Sequence, residues 1–169
     1  MSAAARHPPA RRFLFAGAGG QGVLSAARWL ARAFHDAGMT ACAGQAHSMS
    51  RRGGSVPAAA VIGQGPVAEI GAGEADVLVA FEAIEAARAT AFLRPGGTAI
   101  VDPQIGPAFT LAQAGREAPS ADDLLRPLRE RAGALLLVPA GDLARAAGDP
   151  RSTNAALLGA LDASGVLDL

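Results

Sequence analysis

Two stretches of the chain combine residue types that can do chemistry. The first is Gly17-Ala18-Gly19-Gly20-Gln21-Gly22, which fits the pattern G-x-G-x-x-G. Glycines in such a turn let the backbone approach an anion closely, and a helix that follows at once offers free N–H groups and the positive end of its dipole. A nicotinamide-dinucleotide site also needs an acid about 20 residues further on, at the end of the second strand, to hold the ribose. The nearest acid, Asp36, falls at the end of the first helix instead, and the second strand runs out at Gly44-Gln45-Ala46. Three readings of the turn stay open. It binds a dinucleotide, it binds the phosphate or carboxylate of another ligand, or its glycines only permit tight strand–helix packing or contact with a partner chain. The last is the plainest.

The second stretch is His47-Ser48-Met49-Ser50-Arg51-Arg52-Gly53-Gly54. Two adjacent guanidinium groups in an otherwise uncharged segment suit bidentate contact with phosphate or carboxylate. A solvated loop is the blander alternative. His47 and Ser48 are neighbours in sequence, a poor arrangement for a nucleophile and its base. Met49 reads as a packing residue and Cys42 as an inert buried thiol. No catalytic residue and no metal ligand set emerges from the chain.

Composition removes much else. The chain has 169 residues, half of them apolar, enough for a sizeable core in one domain. All 15 basic residues are arginine and are balanced by 15 acids, so there is no basic excess to grip nucleic acid or a membrane surface. Without lysine there is no Schiff-base or Walker lysine, and a single cysteine excludes a disulfide framework or a self-contained iron–sulfur cluster. Gly141-Asp142 is followed by Leu143, so the Gly-Asp-Gly of thiamine-diphosphate enzymes is missing, and Asn154 is the only asparagine. The apolar run Phe13–Ala16 after Arg11-Arg12 is too short for a signal peptide, which needs roughly 7–15 apolar residues. Residues 1–11 are expected to be a disordered leader and residues 12–169 one domain in the cytoplasm.

Strands and helices alternate along that domain. Strands are predicted at 12–16, 40–43, 55–62, 76–81, 98–101 and 134–138, with Pro57 putting the third at a sheet edge or a strand start. Helices are predicted at 23–37, closed by Gly38, then 84–92, 119–131 with Ser120 as N-cap, and 154–163. Residues 44–54 are expected to be loop, and Arg94-Pro95-Gly96-Gly97 a turn. The pattern implies a Rossmann-like α/β fold, with a mainly parallel sheet flanked by helices. The loops after the first and second strands should then emerge at one edge of the sheet.

Three stretches in order carry a resemblance: Gly19-Gly20-Gln21-Gly22 with Val23-Leu24, His47 through Val56, and Glu74 through Glu82 leading to Leu93-Arg94-Pro95-Gly96-Gly97. Together they resemble the small subunit, or gamma domain, of the 2-oxoacid:ferredoxin oxidoreductases, and most of all the beta subunit of the indolepyruvate enzymes. Residues 12–104 carry the likeness well, and Asn154–Ala160 resembles the family's late helix. Gln45 and Arg51 depart from the family's usual Glu and Gln. The family's further C-terminal helical segment has no counterpart, so docking is expected to differ from that of a typical small subunit.

The resemblance implies a division of labour. A large partner subunit would carry thiamine diphosphate, magnesium and iron–sulfur clusters and pass electrons to ferredoxin or another acceptor. This chain would hold no cofactor, be inactive alone, and help shape the site for coenzyme A or the oxoacid, an aryl one such as indolepyruvate, phenylpyruvate or phenylglyoxylate. The residues expected to touch ligand or partner are Gly19, Gly20, Gln21, Gly22, His47, Ser48, Arg51, Arg52, Gly53 and Gly54. A stand-alone NAD(P)-binding oxidoreductase and a non-catalytic assembly module are the alternatives.

Overall fold

Phe13, Leu14, Phe15 and Ala16 alternate between the two faces of strand β1 (Arg11–Ala18), and all four are buried. A strand covered on both sides accounts for the unbroken apolar run. The computed structural model describes residues 10–45, 54–63, 68–106 and 119–167. β1 thus begins one residue inside the expected leader, and residues 1–9 of that leader lie outside the described residues.

After β1 the chain turns through the glycines into α1 (Val23–Asp36), which buries Val23, Ala26, Ala27, Leu30 and Ala31 on one stripe. Gly38 follows with φ +84°, the left-handed residue predicted to close the helix. β2 (Ala41–Gln45) runs two residues further than predicted, into the expected loop, because it pairs with β3 (Ser55–Ile62) as far as Gln45↔Ala58. Cys42 on β2 is half-buried rather than buried, and desolvation still pushes its thiol pKa up.

The remaining strands are β4 (Ala75–Ala80), β5 (Leu93–Val101) and β6 (Ala134–Leu137). They lie in the order β2-β3-β1-β4-β5-β6. β1, β4, β5 and β6 pair in parallel. β3 is antiparallel to both of its neighbours, so it alone runs against the other five strands. The sheet is mainly parallel in direction and mixed in pairing. β3 is therefore interior, not an edge. Pro57 is tolerated because it pairs with Ala16 of β1 and precedes the stretch paired with β2, Ala58–Ile62.

Each face of the sheet has its own core. α1 and α5 (Thr153–Ala163) cover Phe13, Phe15, Val77, Val79 and Ile100 on one face. α2 (Ala83–Ala89) and α3 (Ala121–Arg131) cover Leu14, Leu78, Leu93 and Ala99 on the other. Ser120 caps α3 as predicted, its hydroxyl accepting from the Asp123 N–H at 3.1 Å. α2 is shorter than predicted, because residues 90–92 tighten into a 3-10 turn. The expected turn at 94–97 is instead a bulge inside β5, between the pairs Ala75↔Leu93 and Val77↔Thr98. Asp76 braces it, accepting from Arg94 Nε at 2.8 Å and from the Arg12 N–H at 2.9 Å. A helix not predicted, α4 (Ala140–Ala146), follows β6.

Leu78 is fully buried between β1, β5 and α2. Leu78→Ala is expected to lower the unfolding free energy by about 2–5 kcal/mol in a urea titration, with the m-value unchanged.

Candidate functional site

Every parallel strand delivers its carboxyl end to one edge of the sheet, where α/β folds collect ligands. β1 ends in the glycine turn, which leads into α1. β4 delivers Phe81 and Glu82, β5 delivers Asp102 and Gln104, and α4 starts just after β6. Between them lies an open cleft of ≈ 250 Å³, lined by Gly20, Gln21, Phe81, Asp102, Gln104, Arg145 and Arg151.

Gln21 organises the turn. Its Oε1 accepts from the Ala18 N–H at 2.7 Å, and its Nε2 reaches Glu82 Oε2 at 3.4 Å. The side chain folds back over Gly17, where a Cβ would sit 2.6 Å from Gln21 Oε1 and 2.6 Å from Val23 Cγ2. Only glycine leaves room there. Gly22, the residue before α1, adopts φ +81°, and a Cβ there would meet Asn154 Nδ2 at 2.9 Å. Two independent requirements, handedness and the close approach of α5, thus select glycine at position 22.

The turn's N–H groups are less free than its sequence suggests. Gly19 donates to the Gly54 carbonyl at 3.2 Å, and Gln21 to the Ala18 carbonyl at 3.2 Å. Among the described residues, Gly20 and Gly22 keep their N–H groups without an acceptor, beside the N-terminus of α1. The Gly19–Gly54 bond continues the ladder that ends with Ala18↔Ser55, and it brings the start of β3 against the glycine turn. Of the ten residues predicted to form the site, Gly19, Gly20, Gln21, Gly22 and Gly54 therefore come together. His47, Ser48, Arg51, Arg52 and Gly53 lie outside the described residues. Gln45, just before them, and Gly54, just after, both sit at this edge.

The dinucleotide reading loses its geometry. The place beside β1 where such a fold puts its second strand is taken by β3. Asp36 stands on the exposed end of α1, paired with Arg32 at 2.7 Å.

Buried acids at this edge were not predicted. Asp102 is 1% exposed, and accepts from the Gly141 N–H at 2.8 Å and the Gln104 N–H at 3.0 Å, fixing the start of α4 to the end of β5. Glu82 is 7% exposed, and desolvation, with the nearby Glu85 charge, raises its pKa above the ordinary glutamate value; hydrogen bonds from Gln21 and the Gly106 backbone offset this only in part. The available signal was positional: each is the first acid after a strand of buried apolar residues. At the rim, Arg145 pairs with Asp142 and Arg151 with Asp149.

The family model for pyruvate ferredoxin/flavodoxin oxidoreductases matches residues 12–169. The chain belongs to this family. A curated relative, the indolepyruvate oxidoreductase subunit IorB of Methanothermobacter thermautotrophicus, is 32% identical over 148 residues, spanning 88% of this chain and 76% of that protein. Among solved structures, the pyruvate oxidoreductase subunit PORC of Thermotoga maritima superposes with a TM-score of 0.64 at 19% identity, over 94% of this chain and 78% of that one. The 2-oxoglutarate:ferredoxin oxidoreductase of Magnetococcus marinus superposes with a TM-score of 0.61 at 19% identity, over 86% of this chain and 22% of that much longer chain. These two likenesses speak for the fold alone, a mixed α/β sheet. Among the described residues no helix is long and apolar enough to cross a membrane.

Two outcomes follow for this edge. Gly22→Ala is expected to destabilise the fold by about 1–3 kcal/mol, measured by thermal unfolding, through left-handed backbone and contact with Asn154. The raised pKa of Glu82 means that the folded state holds a proton the unfolded chain would release. Glu82 therefore detracts from stability as pH climbs from the ordinary glutamate range through its raised folded value. Glu82→Gln should raise Tm relative to the parent at pH 8, and that gain should shrink as pH is lowered toward 4.

Proposed function

We propose that this chain is the small subunit of a 2-oxoacid oxidoreductase complex of the indolepyruvate type, and that its glycine edge faces the active site of a larger subunit. The overall reaction takes a 2-oxoacid, coenzyme A and an oxidised acceptor to acyl-CoA, carbon dioxide and reduced acceptor. The substrate is an aryl 2-oxoacid, as the name of the IorB relatives suggests. Coenzyme A is the co-substrate; the Magnetococcus relative is described with 2-oxoglutarate, coenzyme A and succinyl-CoA bound. The partner subunit holds thiamine diphosphate, magnesium and iron–sulfur clusters, which supply decarboxylation and electron transfer to ferredoxin or another acceptor in the cytoplasm.

The residues of this chain bind and orient. The observation that carries this role is the hydrogen bond from Gly19 to Gly54, which sets the glycine turn beside the end of the arginine-bearing segment. Gly20 and Gly22 offer N–H groups at the start of α1, and the guanidinium groups of Arg51 and Arg52 offer charge-assisted pairs to the same anionic group of coenzyme A or oxoacid. Arg52 has the leading role, because it stands in the family's usual Arg-Gly-Gly position. Gln21 and Glu82 keep the turn in shape.

The test is Arg52→Ala in the assembled complex, with KM measured separately for coenzyme A and for the oxoacid. Loss of one charge-assisted pair, about 1.5–3 kcal/mol, should raise one KM or lower the matching kcat/KM about 10- to 150-fold. If the complex assembles and no constant moves beyond about twofold, Arg52 does not contact ligand. The isolated chain should turn over no 2-oxoacid. Full turnover by the large subunit without this chain would make it an assembly module instead.

A further inference from the structure

Glu82, at the head of α2, joins the two stretches of chain that flank the cleft at the glycine turn. On one side its Oε2 accepts from Gln21 Nε2 at 3.4 Å, and Oε1 of the same amide accepts from the Ala18 N–H at 2.7 Å. One side-chain amide thus separates the carboxyl group from the backbone of the turn. On the other side the Gly106 N–H donates to Glu82. A Cβ at position 106 would overlap Glu82 Oε2, so the chain leaving β5 passes directly against the carboxyl group. Beside it the Ala83 N–H donates to the Gln104 carbonyl at 2.9 Å. Gln21 and Gln104 line the cleft, and Glu82 acts on it through the first of them.

The charges around Glu82 leave it unmatched. It is buried, and among the described residues no ion pair includes it. On α2 the charged groups that act on it are Glu85 and Arg88, which are paired with each other. The acid at the end of β5, Asp102, is held by the Gly141 and Gln104 N–H groups. Arg145 and Arg151, at the rim of the cleft, are each engaged by an aspartate. Residues 13–27, from β1 into the first turn of α1, carry no charge at all.

An oxyanion held by the Gly20 and Gly22 N–H groups would add a second negative charge close to this one. Burial already disfavours the ionised form of Glu82, and a nearby anion disfavours it further. Protonation relieves both at little structural cost. A neutral carboxyl group still has an oxygen that accepts from Gln21, so the amide link to the turn survives.

We infer that Glu82 is the positioning residue of the glycine turn and takes up one proton from solvent when an oxyanion docks at the Gly20 and Gly22 N–H groups. This rests on the ligand role given above to the glycine edge, and adds to it a coupling between docking and pH. Docking is then tighter in acid, and release of the proton favours release of the anion.

The test follows the Glu82 side-chain carboxyl resonance of the full chain by ¹³C NMR from about pH 4 to about pH 9. It is run without ligand, with sulfate as the probe for a phosphate group, and with pyruvate as the probe for a 2-oxoacid carboxylate. Neither probe changes its own charge over that range. Saturable shifts of the Gly20 and Gly22 amides report docking and tell which class of oxyanion the turn takes. The probe that docks should raise the Glu82 midpoint by about 1 pH unit. Linkage then requires it to bind about tenfold more tightly below both midpoints than above them. Glu82→Gln keeps an acceptor for Gln21 and cannot take the proton. Its affinity should vary less than about twofold where that of the parent varies about tenfold. Docking that leaves the Glu82 midpoint in place, or a variant as pH-dependent as the parent, overturns this inference alone. No shift at Gly20 and Gly22 with either probe at tens of millimolar overturns the ligand role of the edge as well. The midpoint in the parent chain decides the matter even if the variant fails to fold.

Discussion

The antiparallel pairing of β3 with β1 governs the rest of the molecule. It runs unbroken over eight residue pairs, from Arg11↔Ile62 to Ala18↔Ser55. Its register leaves no choice about what meets at the carboxyl end of β1, because one more step along the ladder sets Gly54 against Gly19. The same strand displaces β2 from β1, so the crossover through α1 spans two sheet positions instead of one. Small side chains make this feasible. Ala58 and Ala60 on β3 face α1 with no bulk to hold the helix off the sheet.

Burial sets the electrostatic character of the region where β4 and β5 end and α2 begins. Three acids, Glu82, Glu85 and Asp102, are withdrawn from solvent within a short stretch of chain, yet they are satisfied in different ways. Asp102 is held by two backbone N–H groups, Glu82 by an amide, and Glu85 by an arginine on one oxygen alone. Interaction between Glu82 and Glu85 through a low-dielectric interior contributes to keeping Glu82 protonated to higher pH. A chain neutral overall therefore carries buried acids close to a turn that presents N–H donors.

Local signals in the sequence located most elements. The apolar stripe of α1, the Ser120 cap of α3 and the full span of β3 were all legible, because each depends on periodicity or on one side chain satisfying a nearby backbone group. What was not legible is decided by tertiary pairing. β2 extends through Gly44 and Gln45 because β3 supplies the hydrogen bonds, which outweigh poor strand propensity. Pro95-Gly96-Gly97 has the residues of a turn, yet the ladder closes on both sides of it and makes a bulge. α4, Ala-Gly-Asp-Leu-Ala-Arg-Ala, is too short and too poor in large apolar residues to show a helical period. In the candidate site, the glycines were visible from their spacing. Glu82 and Asp102 were not, because a carboxylate becomes a buried group only once the strands before them are placed.

The strands at the two rims of the sheet are short: β2 has five residues and β6 has four. A sheet grows by offering an adjacent chain a long row of unpaired N–H and C=O groups, and neither rim has one. Strand-to-strand fusion with another molecule is thereby discouraged at both ends. Contacts made through helix faces and loops, by contrast, can part and re-engage without disturbing a single backbone ladder.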